Sequence, residues 1–162
     1  MEESVKSFQS AIALRPDLYP ILVELGYTYF QMGKIDNATS VLESALTLAP
    51  DNPVALYGMG RCMLEQERAA EASKYLARAA QINDSLPQIH YYLGLAYGKM
   101  NQLGEAHYQF GIHYQRSGSL DNAAFHYEEA LRHQLRPDQR ANIEQRLAVL
   151  KENKRAARRE KR

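Results

Sequence analysis

Five histidines are the side chains of this 162-residue chain that could carry chemistry beyond packing. His126 and His133 are separated by about two helical turns and would share one face of a helix. A zinc site, however, needs at least three converging ligands with sulfur or acidic partners. His90 and His107 occupy positions where a helix pair takes a bulky side chain, and His113, like His126 and His133, is expected on a helix surface. The sequence therefore predicts no metal site and no bound cofactor.

Catalytic motifs are missing from the sequence. It contains no HExxH motif of zinc peptidases, no GxSxG nucleophile turn and no glycine-rich phosphate loop. The single cysteine, Cys62, cannot form an internal disulfide, and no histidine accompanies it in a pattern typical of a nucleophile. We therefore expect that this chain is not an enzyme in its own right.

Charge divides the chain into an acidic body and a basic tail. Residues 151–162 carry seven basic and two acidic side chains, a charge of +5, whereas residues 1–150 carry −4. Two interpretations of the tail stay open: a solvated end, which we favour, or an electrostatic contact with anionic lipid, nucleic acid or an acidic protein. Nucleic acid is disfavoured because its binding sites normally span a folded face with aromatic or base-reading groups. Membrane contact through the tail is disfavoured too.

Small residues recur with a period of about 34 residues, which indicates stacked copies of one supersecondary unit. Within one period, apolar residues follow helical spacing before Gly33 and again after it, and Pro50 ends the second stretch. Each period therefore predicts two antiparallel helices that approach closely at the small residues, and the chain is predicted to be all-α. The series are Gly26, Gly60 and Gly94; Ala38, Ala72 and Ala106; Ala11, Ala45 and Ala79; and the turn positions Pro16, Pro50 and Asp84.

The period falls to half its length near residue 104. Gly111 follows Gly94 after half a period, and Ala123 follows Ala106 after half a period. One helix, 104–117, is therefore predicted to complete one hairpin and to open the next. Because the first repeat lacks its first helix, we expect the chain to be the C-terminal piece of a longer protein. The predicted division is a half repeat 1–18, repeats 19–52, 53–86, 87–118 and 104–135, a capping helix 136–150 and a basic tail 151–162.

The repeat resembles the tetratricopeptide repeat family over about residues 2–135. That resemblance implies a right-handed superhelical solenoid of antiparallel helix pairs, closed by a capping helix whose apolar stripe is Ile143, Leu147 and Leu150. The departures from the family pattern are a missing Trp and Asp84 in place of Pro. The pattern is carried by Leu22, Leu25, Gly26, Tyr29, Ala38, Leu42, Ala45 and Pro50; by Leu56, Met59, Gly60, Met63, Ala72, Leu76 and Ala79; and by His90, Leu93, Gly94, Tyr97, Ala106 and Phe110.

A second resemblance covers a shorter stretch, from His90 to His133, around the fourth repeat. This region looks like the C-terminal tetratricopeptide module of bacterial zinc metallopeptidases of the β-barrel assembly-enhancing type. The resemblance implies a periplasmic protein whose protease domain precedes residue 1, with this module docking on that domain and on outer-membrane assembly machinery. The residues that carry it are His90, Tyr91, Tyr92, Leu93, Gly94, Ala106, His107, Tyr108, Gly111, Tyr114, Phe125, His126 and Tyr127.

The function expected from these patterns is the binding of a protein or peptide in a concave groove. The groove would be lined by the second stripe of each first helix, the stripe left over once the packing residues face their neighbours. Two settings stay open: a docking module of a periplasmic metalloprotease, or a free-standing adaptor or chaperone-like assembly factor, which would be cytoplasmic. An alternative for the tyrosines is that they pack on one another or under a terminal segment. The predicted groove residues are Val23, Tyr27, Phe30, Tyr57, Arg61, Leu64, Tyr91, Leu95, Tyr108 and Ile112.

Overall fold

A computed structural model describes residues 2–15, 17–83 and 85–160, except for the side chains of 154, 155 and 157–160. Pro16 and Asp84, for which we predicted turn positions, lie outside the described residues. Within them the chain forms helices and no strands, as the repeat pattern predicts. The helices are α1 Glu2–Leu14, α2 Tyr19–Gln31, α3 Ile35–Leu48, α4 Pro53–Glu65, α5 Ala69–Ile82, α6 Pro87–Lys99, α7 Leu103–Arg116, α8 Leu120–Leu131 and α9 Pro137–Glu160.

Proline and asparagine set where several helices begin. Pro53 and Pro87 are the first residues of α4 and α6, and Pro20 lies in the first turn of α2. A proline there has the helical φ already and lacks an N–H that would have no partner in the helix. The Asn52 side chain also accepts a hydrogen bond from the backbone N–H of Ala55, 2.9 Å away, and so caps α4. Local sequence therefore fixes the entry into these helices.

In four helix pairs, a residue with positive φ lies in the turn after the first helix. Gly33, Glu67 and Asn101 follow α2, α4 and α6 at successive periods with φ of 71°, 60° and 59°, and Gly118 follows α7 with φ of 79°. In every case the next backbone N–H returns to a carbonyl at the end of the preceding helix, as from Ser119 to Tyr114 at 2.9 Å. This left-handed termination satisfies orphan carbonyls at a helix end. Helix α7 therefore ends in the way that a first helix of a pair ends.

Close approach within each pair depends on a glycine that faces a large side chain. A Cβ atom added to Gly26 would lie 2.7 Å from Cγ of Leu42, and one added to Gly94 would lie 2.8 Å from the Phe110 ring. The equivalent partners of Gly60 and Gly111 are Leu76 and Tyr127. Most alanines of the same periods are buried, which confirms those packing positions: Ala38, Ala45, Ala72, Ala79, Ala106, Ala123 and Ala130. Ala11, the first member of its series, is only half-buried.

Helix α7 packs against both α6 and α8, as the half-period step predicts. Phe110 lies over Gly94 of α6, whereas Gly111 lies under Tyr127 of α8. The ring of Tyr114 stacks on His126 of α8 with centroids 5.1 Å apart. One helix therefore supplies the second half of one hairpin and the first half of another.

The buried apolar residues form two clusters that divide at α7. The N-terminal cluster runs from α2 to α6, with Phe8 and Ile12 of α1 packed against it. The C-terminal cluster joins α7 and α8 to α9 through Ile143, Leu147 and Leu150. The predicted apolar stripe of the capping helix is thus buried on the end of the stack.

The last helix continues beyond the boundary that the sequence analysis gave it. We predicted a capping helix to residue 150 and a basic tail that either frays or extends as a charged helix, and α9 runs from Pro137 to Glu160 without a break. Its second half consists largely of Ala, Lys, Arg and Glu, which all favour helix, and contains no Gly or Pro. Only the buried stripe ends at Leu150. Across the described helices, none is both long and apolar enough to cross a membrane.

Candidate functional site

The ten predicted groove residues do not form one continuous surface. Those on α2, α4 and α6, except the exposed Tyr91, belong to or contact the N-terminal cluster. Ile112 and Tyr108 of α7 belong to or contact the C-terminal one. Four of the ten are buried and therefore pack beneath the surface, where a ligand would make little contact with them: Val23, Tyr57, Leu64 and Ile112. The half-exposed members on the N-terminal side are Tyr27, Phe30, Arg61 and Leu95.

Arg61 is the centre of the surface made by α2, α4 and α6. Its guanidinium carbon lies 4.2 Å from the ring centroid of Phe30 and 5.0 Å from that of Tyr92. The rings of Tyr27 and Tyr57 are each 5.6 Å away. Arg61 Nη1 also donates a hydrogen bond to the Tyr27 hydroxyl at 2.9 Å. The four rings attract the cation through their faces and hold it in one place.

Tyr92 is a member of this site that the sequence analysis did not predict. Its ring meets Tyr57 edge to face, with centroids 5.7 Å apart, and burial raises the pKa of the Tyr57 hydroxyl to about 12. We placed Tyr91 in this slot because it lies one period after Tyr57. The structure turns Tyr91 toward α7 instead, where it contacts Phe110 and His113 at 5.7 and 5.3 Å. The tyrosines therefore do not line one row.

A small cleft adjoins the Arg61 cluster between α4 and α6. It has a volume of about 280 Å³, and its apolar wall is made by Leu64, Tyr92 and Leu95. Glu65, Glu67 and Lys99 stand around the same cleft. The surface thus combines an apolar recess with charged groups at its edge, which suits an apolar side chain from a polar segment.

Tyr108 and Ile112 lie apart from this surface, under α9. The Tyr108 hydroxyl donates to Oδ1 of Asn142 at 3.0 Å, and burial raises the pKa of Tyr108. Arg146 of α9 donates to the same Asn142 oxygen at 2.6 Å and to Oε1 of Gln115 at 2.7 Å. The prediction that Tyr108 and Ile112 line the common groove is therefore wrong, because the capping helix covers them.

The histidines gather at the interface of α7 and α8. Nδ1 of His107 lies 3.0 Å from Nδ1 of His126, and the ring of His133 stacks on His107 at 6.1 Å. His113 contacts Tyr114 and places its Nδ1 2.9 Å from the carbonyl oxygen of Pro87. We predicted that His113, His126 and His133 stand on helix surfaces. His113 and His126 do lie on helices but are half-buried in contacts between helices, whereas His133 lies just beyond the end of α8. Within the described ranges, no three ligating side chains converge to hold a metal ion.

A wider apolar cleft lies at the other end of the molecule. It measures about 890 Å³ and separates α8 from the second half of α9, with Leu120, Ala124 and Leu150 among its lining residues. Phe125 on its edge is 56% exposed. No groove residue was predicted here, because Phe125 lies on a second helix of a pair.

Comparison with known proteins identifies the repeat. A family model described as tetratricopeptide repeat matches residues 29–96. A 69-residue segment is 38% identical to the cellulose synthase operon protein C of Pseudomonas fluorescens (strain SBW25). That segment makes up 43% of this chain, but the match spans only 5% of the length of that curated relative.

Solved structures extend the likeness to almost the whole chain. MamA has 20% sequence identity and a TM-score of 0.69, with 94% of this chain and 89% of that chain covered. The first TPR of Spaghetti (RPAP3), bound to an HSP90 peptide, has 21% identity and a TM-score of 0.62, covering 70% and 90%. YrrB, a TPR protein with an unusual peptide-binding site, has 19% identity and a TM-score of 0.60, covering 93% and 85%. Identities this low establish the shared fold.

The sequence match and the fold point to one family. Within the segment that the family model covers, Gly60 packs against Leu76, and left-handed turns occur at Gly33 and Glu67. Residues 29–96 therefore match the tetratricopeptide repeat, and the described part of the chain folds as an all-α solenoid like those of tetratricopeptide repeat proteins.

Proposed function

We propose that this chain binds an extended peptide, or a loop of a partner protein, on the surface of α2, α4 and α6. The observation that carries the proposal is the half-exposed group of Tyr27, Phe30, Arg61 and Leu95 beside an apolar cleft. Aromatic side chains give a large contact area with a polar tip at low entropic cost, and with Arg they are enriched in binding hot spots.

Two structural relatives support a binding role for this fold. The RPAP3 domain was solved with an HSP90 peptide, and YrrB has a peptide-binding site. Tetratricopeptide repeats mediate protein interactions by presenting the faces of stacked helices. The proposal makes the chain an interaction scaffold with no reaction of its own.

The test is to select peptides that bind the wild-type protein and then to measure their affinity for a variant that carries an added charge on the proposed surface. Peptides would be selected from a displayed random library on the wild-type protein, and their dissociation constants measured by calorimetry. We expect Leu95→Arg to weaken binding by about 2 kcal/mol, the scale of a hot spot, because it fills the cleft with a charge. Val149→Arg is the matched control, since Val149 is 46% exposed on α9. Equal affinities for both variants, with unchanged circular dichroism, would contradict the proposal.

A more specific form of the proposal makes the chain the docking module of a periplasmic zinc metallopeptidase, with outer-membrane assembly machinery as a partner. Its support is the sequence resemblance around His90, Tyr108 and His126. The alternative is a free-standing adaptor or assembly factor. The parent gene separates them: a signal peptide and an HExxH helix encoded before residue 1 support the docking module. Further helical repeats alone would support the adaptor.

A further inference from the structure

We propose that the cleft between α8 and α9 docks a second copy of this chain across a two-fold axis, so that Phe125 of each copy enters the cleft of the other. This surface lies at the other end of the molecule from the peptide surface of α2, α4 and α6. The inference therefore does not rest on the proposed function.

The first argument is the exposure of Phe125, which stands at the edge of the cleft and is 56% exposed. It follows the packing residue Ala123 of α8 by two positions. The same position after the packing alanine is Ser40 in α3 and Lys74 in α5, and both are exposed. Helix α8 thus presents an aromatic ring where these two second helices present a polar group. A large exposed apolar group beside an apolar recess marks an interaction surface.

The second argument is that α9 leaves the cleft open along α8. One period after Gly111 and Gly118, the chain has Gln145 and Glu152, and both lie inside α9. Helix α9 therefore has neither the packing glycine of a first helix nor the left-handed residue that ends one. It continues to Glu160 without turning back over α8.

The third argument is that this surface is complementary to itself. It offers an exposed ring, Phe125, and beside it an apolar recess of about 890 Å³, which has room for such a ring. Leu120, Ala124 and Leu150 are among the residues that line the recess. In a two-fold dimer the same patch occurs on both sides, so it must contain both the inserted group and the site that receives it.

The charges at the cleft point to the same occupant. Asp121 and Glu128 on the α8 side are acidic, whereas Lys151 on the α9 side begins the segment 151–162, whose charge is +5. In the proposed dimer α8 of one copy lies against α9 of the other, so unlike charges face each other twice. Within one copy, Lys151 and Glu128 form a long and largely exposed ion pair of 3.9 Å, which contributes little and can be exchanged for a pair between copies.

The experiment measures the mass of the full chain by sedimentation equilibrium over a range of concentrations. The wild-type protein should approach twice the mass of one chain as its concentration rises. Phe125→Glu should raise the dissociation constant of the dimer at least ~tenfold, because it replaces a central aromatic contact with a charge. Leu48→Glu is the matched control, since Leu48 is 47% exposed on the second helix α3, and it should change the constant no more than about twofold.

Two results of this experiment would overturn the inference. One is a wild-type protein that stays monomeric at every concentration, which does not depend on any variant folding. The other is an equal dissociation constant for Phe125→Glu and Leu48→Glu, with circular dichroism unchanged in both.

A charge exchange distinguishes contacts between copies from contacts within one copy. Glu128→Lys and Lys151→Glu should each weaken the dimer, because like charges then face each other twice. An equimolar mixture of the two variants should associate at least ~tenfold more tightly than either alone, since each introduced charge meets an unlike charge on the other copy. The ion pair within each chain stays broken in the mixture, so only contacts between copies can restore the dimer. A mixture that associates no better than its components would refute the proposed interface.

Discussion

At the scale of residues, the interface of α7 and α8 contains a pair of nitrogens that share one proton. Nδ1 of His107 and Nδ1 of His126 are 3.0 Å apart, so one must donate and the other accept. Burial lowers the pKa of both histidines, and the neighbouring His133 and His113 act in the same direction, against Glu129. When both rings are protonated, both Nδ1 atoms carry hydrogen and the contact becomes repulsive.

This pair predicts that the protein loses stability in mild acid. Because the folded-state pKa values lie below the unfolded value of about 6.5, the unfolded chain binds more protons between the two. Stability is therefore fully present above the unfolded pKa and falls as the pH drops toward the folded values. Thermal unfolding from pH 8 to pH 5 would show this as a falling Tm. The double variant His107→Gln with His126→Gln should fall less steeply, and parallel curves would refute the assignment.

At the scale of elements, one glycine allows the two helices of each pair to approach closely, and one left-handed residue ends the first helix of the pair. The packing glycine and the left-handed residue recur at the common period through α6. Helix α7 has the packing residues of a second helix and also those of a first helix. It receives α6 on Phe110 as a second helix and α8 on Gly111 as a first helix. The left-handed Gly118 then ends it. Because α7 has both faces, it belongs to two successive helix pairs, and the chain needs no additional helix between α6 and α8.

The glycine contacts predict opposite effects of one substitution at two sites. Gly60→Ala places a Cβ against the Leu76 side chain, and we expect it to lower the free energy of unfolding by about 1–3 kcal/mol through overpacking. Gly98 also lies inside a helix, but nothing stands within 4 Å of an added Cβ. Gly98→Ala should therefore raise stability by about 0.5–1 kcal/mol. Urea unfolding measures both, and destabilisation of equal size would show that helix approach is not the cause.

At the scale of the whole molecule, the described helices form a stack with two apolar clusters, in which each helix packs mainly on its neighbours along the chain. In such a stack stability is close to a sum of unit and neighbour terms. A destabilising substitution at one end of the stack should therefore destabilise mainly the helices near that end. The capping helix α9 covers Tyr108 and the C-terminal cluster, which makes it a suitable place to test this property.

Ile143→Ala is expected to loosen the C-terminal helices selectively. Ile143 of α9 is fully buried in the C-terminal cluster, and its truncation should cost about 2–5 kcal/mol locally. Hydrogen exchange should accelerate in α7, α8 and α9 while α2 to α5 keep most of their protection. Val149→Ala, at a position 46% exposed, should change little. Uniform acceleration along the chain would show one cooperative unit instead.

The sequence by itself determined the helices, their pairing and the shared helix. Periodicity identifies these features because the residues responsible, such as Gly26 and Leu42, meet within one hairpin and are therefore close in sequence. Left-handed turns at Gly33 and Gly118 are local as well. The fold class therefore followed from spacing alone.

Only the tertiary structure decided which side chains share a surface. Tyr92, and not Tyr91, lies beside Arg61, although Tyr91 is the residue one period after Tyr57, because Tyr91 packs against Phe110 and His113 of α7. The docking of α9 removes Tyr108 from the groove through Asn142, a contact whose two residues are 34 apart in the sequence and belong to different hairpins. The sequence period identifies equivalent positions in successive hairpins. It does not record the rotation between hairpins, because packing of whole helix faces sets that rotation.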